Sequence, residues 1–164
     1  MLDRQTIKDA WSEYFSDHRK GYWITLNSRW NVSSIADHRV RRQFLNLEPH
    51  VQKYIHKLNK YCYGRSYLRE ENSKLKVLAA YEVGPTDGLI HCHIIAAHEG
   101  STDRTTEEIS SFSKWKWSQI HGTWGRDQFV NVNAVDDVND RLWYAAKQSE
   151  QYQRLFDESN IAIY

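Results

Sequence analysis

Two apolar, strand-length runs, Leu75 to Val83 and Leu89 to Ala97, stand either side of Gly84-Pro85-Thr86-Asp87-Gly88, and no other feature of the chain restricts its fold as tightly. The intervening residues supply positive φ, a fixed φ and side-chain capture of the backbone, so the runs predict a β-hairpin. Residue numbers facing one another across an antiparallel ladder sum to a constant. If Gly84 faces Leu89, then Glu82 lies opposite His91 and Ala80 opposite His93. Alternate side chains of a strand share a face, so His91 and His93 point one way and Cys92 the other. Cross-strand neighbours have Cβ atoms about 4.5–5.5 Å apart, which lets Glu82 reach an ion held by the two imidazoles.

Two nitrogens and one carboxylate with positions left open describe a catalytic metal site, because structural zinc sites are closed by four ligands, usually including thiolates. A carboxylate and open water positions suit Mn²⁺ or Mg²⁺, and imidazole also suits zinc, nickel and copper. The competing structural reading of His-x-His is a strand whose two imidazoles are satisfied by hydrogen bonds.

The remaining elements place this hairpin in an α+β domain. Ile7, Ala10, Trp11, Tyr14 and Phe15 fall on one face of a helix within Leu2 to Asp17, and Tyr22 to Asn27 has the aromatic and β-branched content of a strand. Ser33 or Ser34 can cap a helix running to about Leu47, and Pro49 suits the first position of the next, whose Val51, Tyr54, Ile55, Leu58 and Cys62 recur at helical spacing. A Thr105-x-x-Glu108 capping box opens a helix that stops near Gly122. Phe129, Val130 and Val132 suggest a short strand, and Asp136 can cap a last helix through Val138, Leu142, Ala145 and Ala146, followed by a less regular tail. No repeat or Pro/Gly-rich linker interrupts residues 1–164, so they read as one domain: a mainly antiparallel sheet with helices packed on its faces.

The net charge of +1 argues against holding duplex DNA by bulk electrostatics, but the charge is uneven. Arginines and lysines crowd residues 39–76, whereas acids weight the end from Asp127. The chain as a whole holds seven tryptophans, and cations interleaved with flat rings suit single-stranded nucleic acid, each stacked base being worth about 1–3 kcal/mol. Trp30, Arg42, Lys74, Trp124 and Arg126 are the candidates for such contacts; each also fits a surface or core role. The two cysteines, Cys62 and Cys92, read as reduced thiols. No run approaches the roughly 18 apolar residues of a membrane helix, and the start lacks a signal peptide's apolar stretch, so a cytoplasmic protein is expected, or a nuclear one in a eukaryotic host.

On the last helix Arg141, Tyr144, Lys147 and Gln148 form one stripe at spacings of three and four. A tyrosine among polar groups is a nucleophile if a cation or base favours the phenolate, and Lys147 one turn on can stabilise phosphate charge. The alternative is an amphipathic helix whose tyrosine closes the edge of the core.

Taken together, the Tyr22 to Asn27 strand, Glu82 with His91-Cys92-His93, and Tyr144-Ala145-Ala146-Lys147 resemble the three ordered motifs of single-tyrosine HUH endonucleases, the Rep proteins that initiate rolling-circle replication. The resemblance spans Tyr22 to Gln148. It implies the HUH, RRM-like fold, metal ligation by Glu82, His91 and His93, Tyr144 as nucleophile and Lys147 as the motif lysine. It also implies a divalent metal, Mn²⁺ or Mg²⁺, and as substrate the single-stranded DNA of a replication origin, in some cases within a hairpin, nicked and rejoined through a 5′-phosphotyrosine and a free 3′-hydroxyl.

This chain lacks a G-x-x-x-x-G-K-[ST] loop, so a separate helicase is expected. Tyr152, about 80° around an ideal helix from Tyr144, is not taken for a second nucleophile. Tyr144 to Gln148 also fits the Y-x-x-x-Q pattern of single-strand DNA transposases, in which case Gln148 replaces Glu82 as ligand. A third reading, of another class, is a non-catalytic module that binds single-stranded nucleic acid.

Overall fold

The computed structural model describes residues 4–18, 20–34, 36–69, 73–98, 102, 104–122, 129–146, 149, 152 and 161–164. Their order is α1 (Arg4–Tyr14), β1 (Gly21–Asn31), α2 (Val40–Tyr63), β2 (Lys76–Val83), β3 (Leu89–Ala97), α3 (Thr106–His121), β4 (Val130–Val135), α4 (Asn139–Ala146) and β5 (Ile161–Ile163). The strands form one sheet in the order β4-β1-β3-β2-β5, antiparallel at every pairing, as expected for the α+β class.

The period-2 alternation of the strands divides the core into two layers. Tyr22, Ile24 and Leu26 of β1, Val77, Ala79 and Tyr81 of β2, and Cys92, Ile94 and Ala96 of β3 pack against α2 and α3. Trp23, Leu78, Ala80, Ile95 and Ala97 face the other way, against Ile7, Trp11 and Phe15 at α1 and Leu142, Ala145 and Ala146 of α4. The hairpin has the expected register: Glu82 is paired with His91 and Ala80 with His93, and the Gly84 amide donates to the Leu89 carbonyl at 2.8 Å. Gly88 turns at φ +64°, and a Cβ there would collide with the Val32 carbonyl. Cys92 is buried on the face away from the histidines, and both thiols are free.

The capping box at Thr105 and Glu108 forms as predicted, and α3 stops at Gly122 in the left-handed conformation. Other expectations are corrected. Instead of two successive helices, α2 runs unbroken through Pro49. Six of its side chains, Phe44, Leu47, Val51, Tyr54, Ile55 and Leu58, are buried, each stabilising by about 1.5–3 kcal/mol, which exceeds the roughly 3 kcal/mol cost of an interior proline. Neither Ser33 nor Ser34 caps it; the Ser33 hydroxyl donates to Asp37 Oδ2 at 2.9 Å and the helix begins at Val40. Asp137, not Asp136, serves α4, accepting the Asn139 amide at 3.0 Å. The tail contributes β5, a three-residue strand on β2 that is too short to carry a readable alternation.

Where α2 and α3 meet, His121 is 3% exposed; its Nε2 accepts the Arg29 amide at 3.1 Å, so Nδ1 carries the proton and donates to His50 Nδ1 at 2.9 Å. Burial first, then His50 and Arg29, push His121 down to about 4 from an ordinary 6.5, and burial with Lys53 and Arg29 lowers His50. Between those values the unfolded chain binds more protons than the folded one, so stability rises with pH through this window and is lost as pH falls from 6.5 towards 4. Thermal midpoints should decline over that range by the equivalent of at most about 1.4 kcal/mol per pH unit for one proton. His121→Asn should flatten the slope while lowering the midpoint at pH 7.

Candidate active site

The sheet face shared by α1 and α4 carries the predicted histidines. His93 is 7% exposed and lies flat against Trp23 of β1, with ring centroids 4.9 Å apart and planes 14° from parallel. Its two nitrogens are both engaged. Nδ1 lies 3.0 Å from the Thr25 hydroxyl and Nε2 lies 2.6 Å from Glu82 Oε1. With Glu82 ionised, its carboxylate can only accept, so Nε2 holds the proton and Nδ1 accepts from Thr25. Glu82 faces His91 in the backbone register but turns its carboxylate diagonally to His93.

His91 is less buried, nearly parallel to His93 at a centroid distance of 6.3 Å, and its Nε2 makes a long 3.5 Å contact with Asp87 Oδ1. Burial opposes the charge on Asp87, but the Leu89 amide and His91 together hold its carboxyl below the ordinary carboxylate value. Gly84 makes room here, since a Cβ at that position would press on the tips of both Asp87 and His91.

Tyr144 projects from α4 into this cluster. Its ring stands edge-on to His93 at 5.3 Å and to Trp23 at 5.5 Å, with interplanar angles of 88° and 89°, and it is 42% exposed. Burial first, then the negative charge of Glu82, raise its phenol above the ordinary 10. Arg141, one turn earlier, sets its guanidinium 5.9 Å from the Trp23 ring centroid. Leu142, Ala145 and Ala146 face the core, which turns the Tyr144 side of α4 outward.

The structure thus brings Tyr144 of α4 to the β2–β3 hairpin that carries Glu82, His91 and His93. Lys147, Gln148, Trp124 and Arg126 lie outside the described residues. The other three nucleic-acid candidates are elsewhere. Trp30 packs on His50 and edge-on to His121, on the α2/α3 side of the sheet. Arg42 is exposed near the start of α2. Lys74 precedes β2, whose far end carries Glu82, eight residues or about 26 Å of strand away. Tyr152 is 2% exposed and stacked on Phe44, in the opposite core layer.

Searches against protein-family models, curated proteins and solved structures find no match for this chain in any of the three. As the side chains stand, no three His, Cys, Asp or Glu donors among the described residues converge on one point, because Glu82 is turned to His93 and Asp87 to His91. The donor set nonetheless fits a divalent cation: two same-face imidazoles, each beside a carboxylate, with space preserved by Gly84.

Sequence reasoning missed Trp23, Thr25 and Asp87. Offering His93 Nε2 to a cation requires the proton to sit on Nδ1, and the Thr25 hydroxyl can then turn from donor to acceptor. Thr25→Val keeps the β-branch and removes that acceptor. It should weaken Mn²⁺ binding by about 10-fold or more, measured by calorimetry, with Thr25→Ser restoring it.

Proposed function

We propose that this chain is a metal-dependent nicking and joining enzyme for single-stranded DNA, with Tyr144 as the nucleophile. The observation that carries the reading is the half-exposed Tyr144 phenol standing edge-on against His93, itself bonded to Glu82. Tyrosine, paired imidazoles and carboxylate side by side are what transesterification of a phosphodiester requires, and the α4 stripe adds Arg141 as a phosphate contact.

In the reaction, Tyr144 Oη attacks the phosphorus and loses its proton to solvent or a nearby carboxylate. The P–O3′ bond breaks, and the departing 3′-oxygen takes up a proton. A phosphodiester replaces a phosphodiester, so no nucleoside triphosphate is consumed and a 3′-hydroxyl can reverse the step. Glu82, His91 and His93 would hold Mn²⁺ or Mg²⁺, which when bound supplies Lewis acidity to the scissile phosphate. Trp23 and Thr25 fix the plane and proton of His93, and Arg141 steers the phosphate. The natural setting that fits is a replication origin presented as a single strand or hairpin, with a separate helicase opening the duplex.

The test is incubation with Mn²⁺ and a labelled pool of single-stranded oligonucleotides, followed by a denaturing gel. A labelled band at the mass of protein plus DNA supports the reading, and its absence across a broad pool favours a non-catalytic binding module. Glu82→Ala should abolish Mn²⁺ binding while Gln148→Ala leaves it; the reverse favours a single-strand transposase.

A further inference from the structure

The face of the protein opposite Tyr144 carries a second charge pattern that the nicking reaction does not use. Between Pro49 and Gly64 on α2, and between Ile109 and Gly122 on α3, every residue charged at pH 7 with histidine neutral is a lysine, and no carboxylate occurs. The two helices pack side by side through Tyr54 on Ser113, His50 on His121, and Tyr61 stacked on Phe112 at 4.2 Å. At 100° per residue Arg42, Lys53, Lys57 and Lys60 fall along one flank of α2, next to this seam, and Lys116 on α3 faces them across it. Arg42, Lys53 and Lys60 are exposed, and Lys57 and Lys116 are half-buried. Among the described residues none of these four lysines forms an ion pair. Desolvation first, then the charges of Lys57 and Lys53, lower the Lys116 ammonium from its ordinary 10.5, which places the three close enough to repel.

From this arrangement we infer that the α2/α3 seam is a docking surface for the phosphate backbone of duplex DNA, separate from the single-strand site on the other face of the sheet. From Arg42 to Lys60 the stripe runs about 27 Å along a helix, the axial length of roughly eight base pairs. A row of cations along one helix flank suits regularly spaced phosphates. A single strand would need a run of flat platforms for its bases, whereas here Tyr61 is stacked on Phe112, Trp30 packs against His50 and His121, and Trp115, about half exposed, carries the Lys116 ammonium on one face at 3.8 Å. The carboxylates of α3, Glu107 and Glu108, stand at its first turn beside Tyr61 and Phe112, where Glu108 is paired with Arg104; none lies within the lysine-bearing stretches, so an anionic partner relieves the repulsion there. The choice of DNA as the polyanion rests on the nicking reading; the duplex would be the stretch adjoining the strand bound at Tyr144.

The experiment measures binding of a fluorescent 20-base-pair duplex, the matching single strand and polyglutamate, across a salt series, to the wild type and to Lys53→Glu/Lys57→Glu/Lys116→Glu. The charge-neutral Gln triple variant, checked for an unchanged thermal midpoint, covers misfolding. Duplex affinity should fall at least 10-fold, with the slope of log affinity against log salt reduced by about 3, while single-strand affinity and adduct formation at saturating oligonucleotide stay within about twofold. Equal loss of duplex and single strand, polyglutamate binding as tight as duplex, or unchanged duplex binding would each overturn the inference. Duplex binding is read without cleavage, so a wild type that forms no adduct defeats the nicking reading and leaves this measurement intact.

Discussion

Tyr144→Phe is expected to abolish the covalent protein–DNA adduct, by at least about 10⁴-fold, while leaving oligonucleotide affinity within about threefold. The substitution removes one oxygen from a half-exposed ring and keeps the edge-on packing against His93 and Trp23. Only the proposed nucleophile goes. The wild-type adduct rate should climb with pH from 6 to 9, because burial and Glu82 hold the phenol above its ordinary value and little phenolate exists at neutrality. Gel quantification of single-turnover reactions reads both effects. A Phe variant that still forms the adduct at an appreciable rate would move the nucleophile elsewhere.

His93→Ala should be the most damaging change at the site. The ring is buried beneath Trp23 and bonded at both nitrogens, so its loss leaves a void, an unpaired Glu82 carboxylate and an idle Thr25 hydroxyl. A loss of about 2–4 kcal/mol is expected from urea unfolding, together with more than the 10–100-fold fall in Mn²⁺ affinity that outer partners alone produce. His91→Ala separates the two effects. That ring is less buried and makes only the long contact to Asp87, so metal affinity should drop while stability changes by less than about 1 kcal/mol. Equal stability losses for the two histidines would contradict the asymmetry of their surroundings.

What could be read from the sequence was mostly local. The Glu82–His91 register followed from one turn, because a five-residue connection with two glycines and a proline leaves few ways to pair its flanks. The capping box at Thr105 and the stop at Gly122 are likewise short-range signals. Thr25 and Trp23 were not legible as site residues because their position depends on β1 pairing with β3, where Thr25 faces His93 across 68 residues of chain. Their residue types alone say nothing of that partner. Pro49 misled for a related reason: local chemistry argues for a break, and the long apolar stripe that overrides it counts only once there is a sheet to bury it. The approach of Tyr144 to His93 joins α4 to β3 and is tertiary in the same sense.

Joint action of the phenol and the imidazole cluster on one phosphorus leaves its mark in the chemistry of the linkage. Trypsin should release Tyr144 within the six-residue peptide 142–147, bounded by Arg141 and Lys147, with one tyrosine and no serine, threonine, cysteine or histidine. After Mn²⁺-dependent reaction and nuclease trimming, mass spectrometry should find that peptide carrying a nucleoside phosphate on the Tyr144 oxygen. A nucleotide on any other peptide, or an unmodified 142–147 peptide in a sample whose gel shows full adduct, would contradict the account.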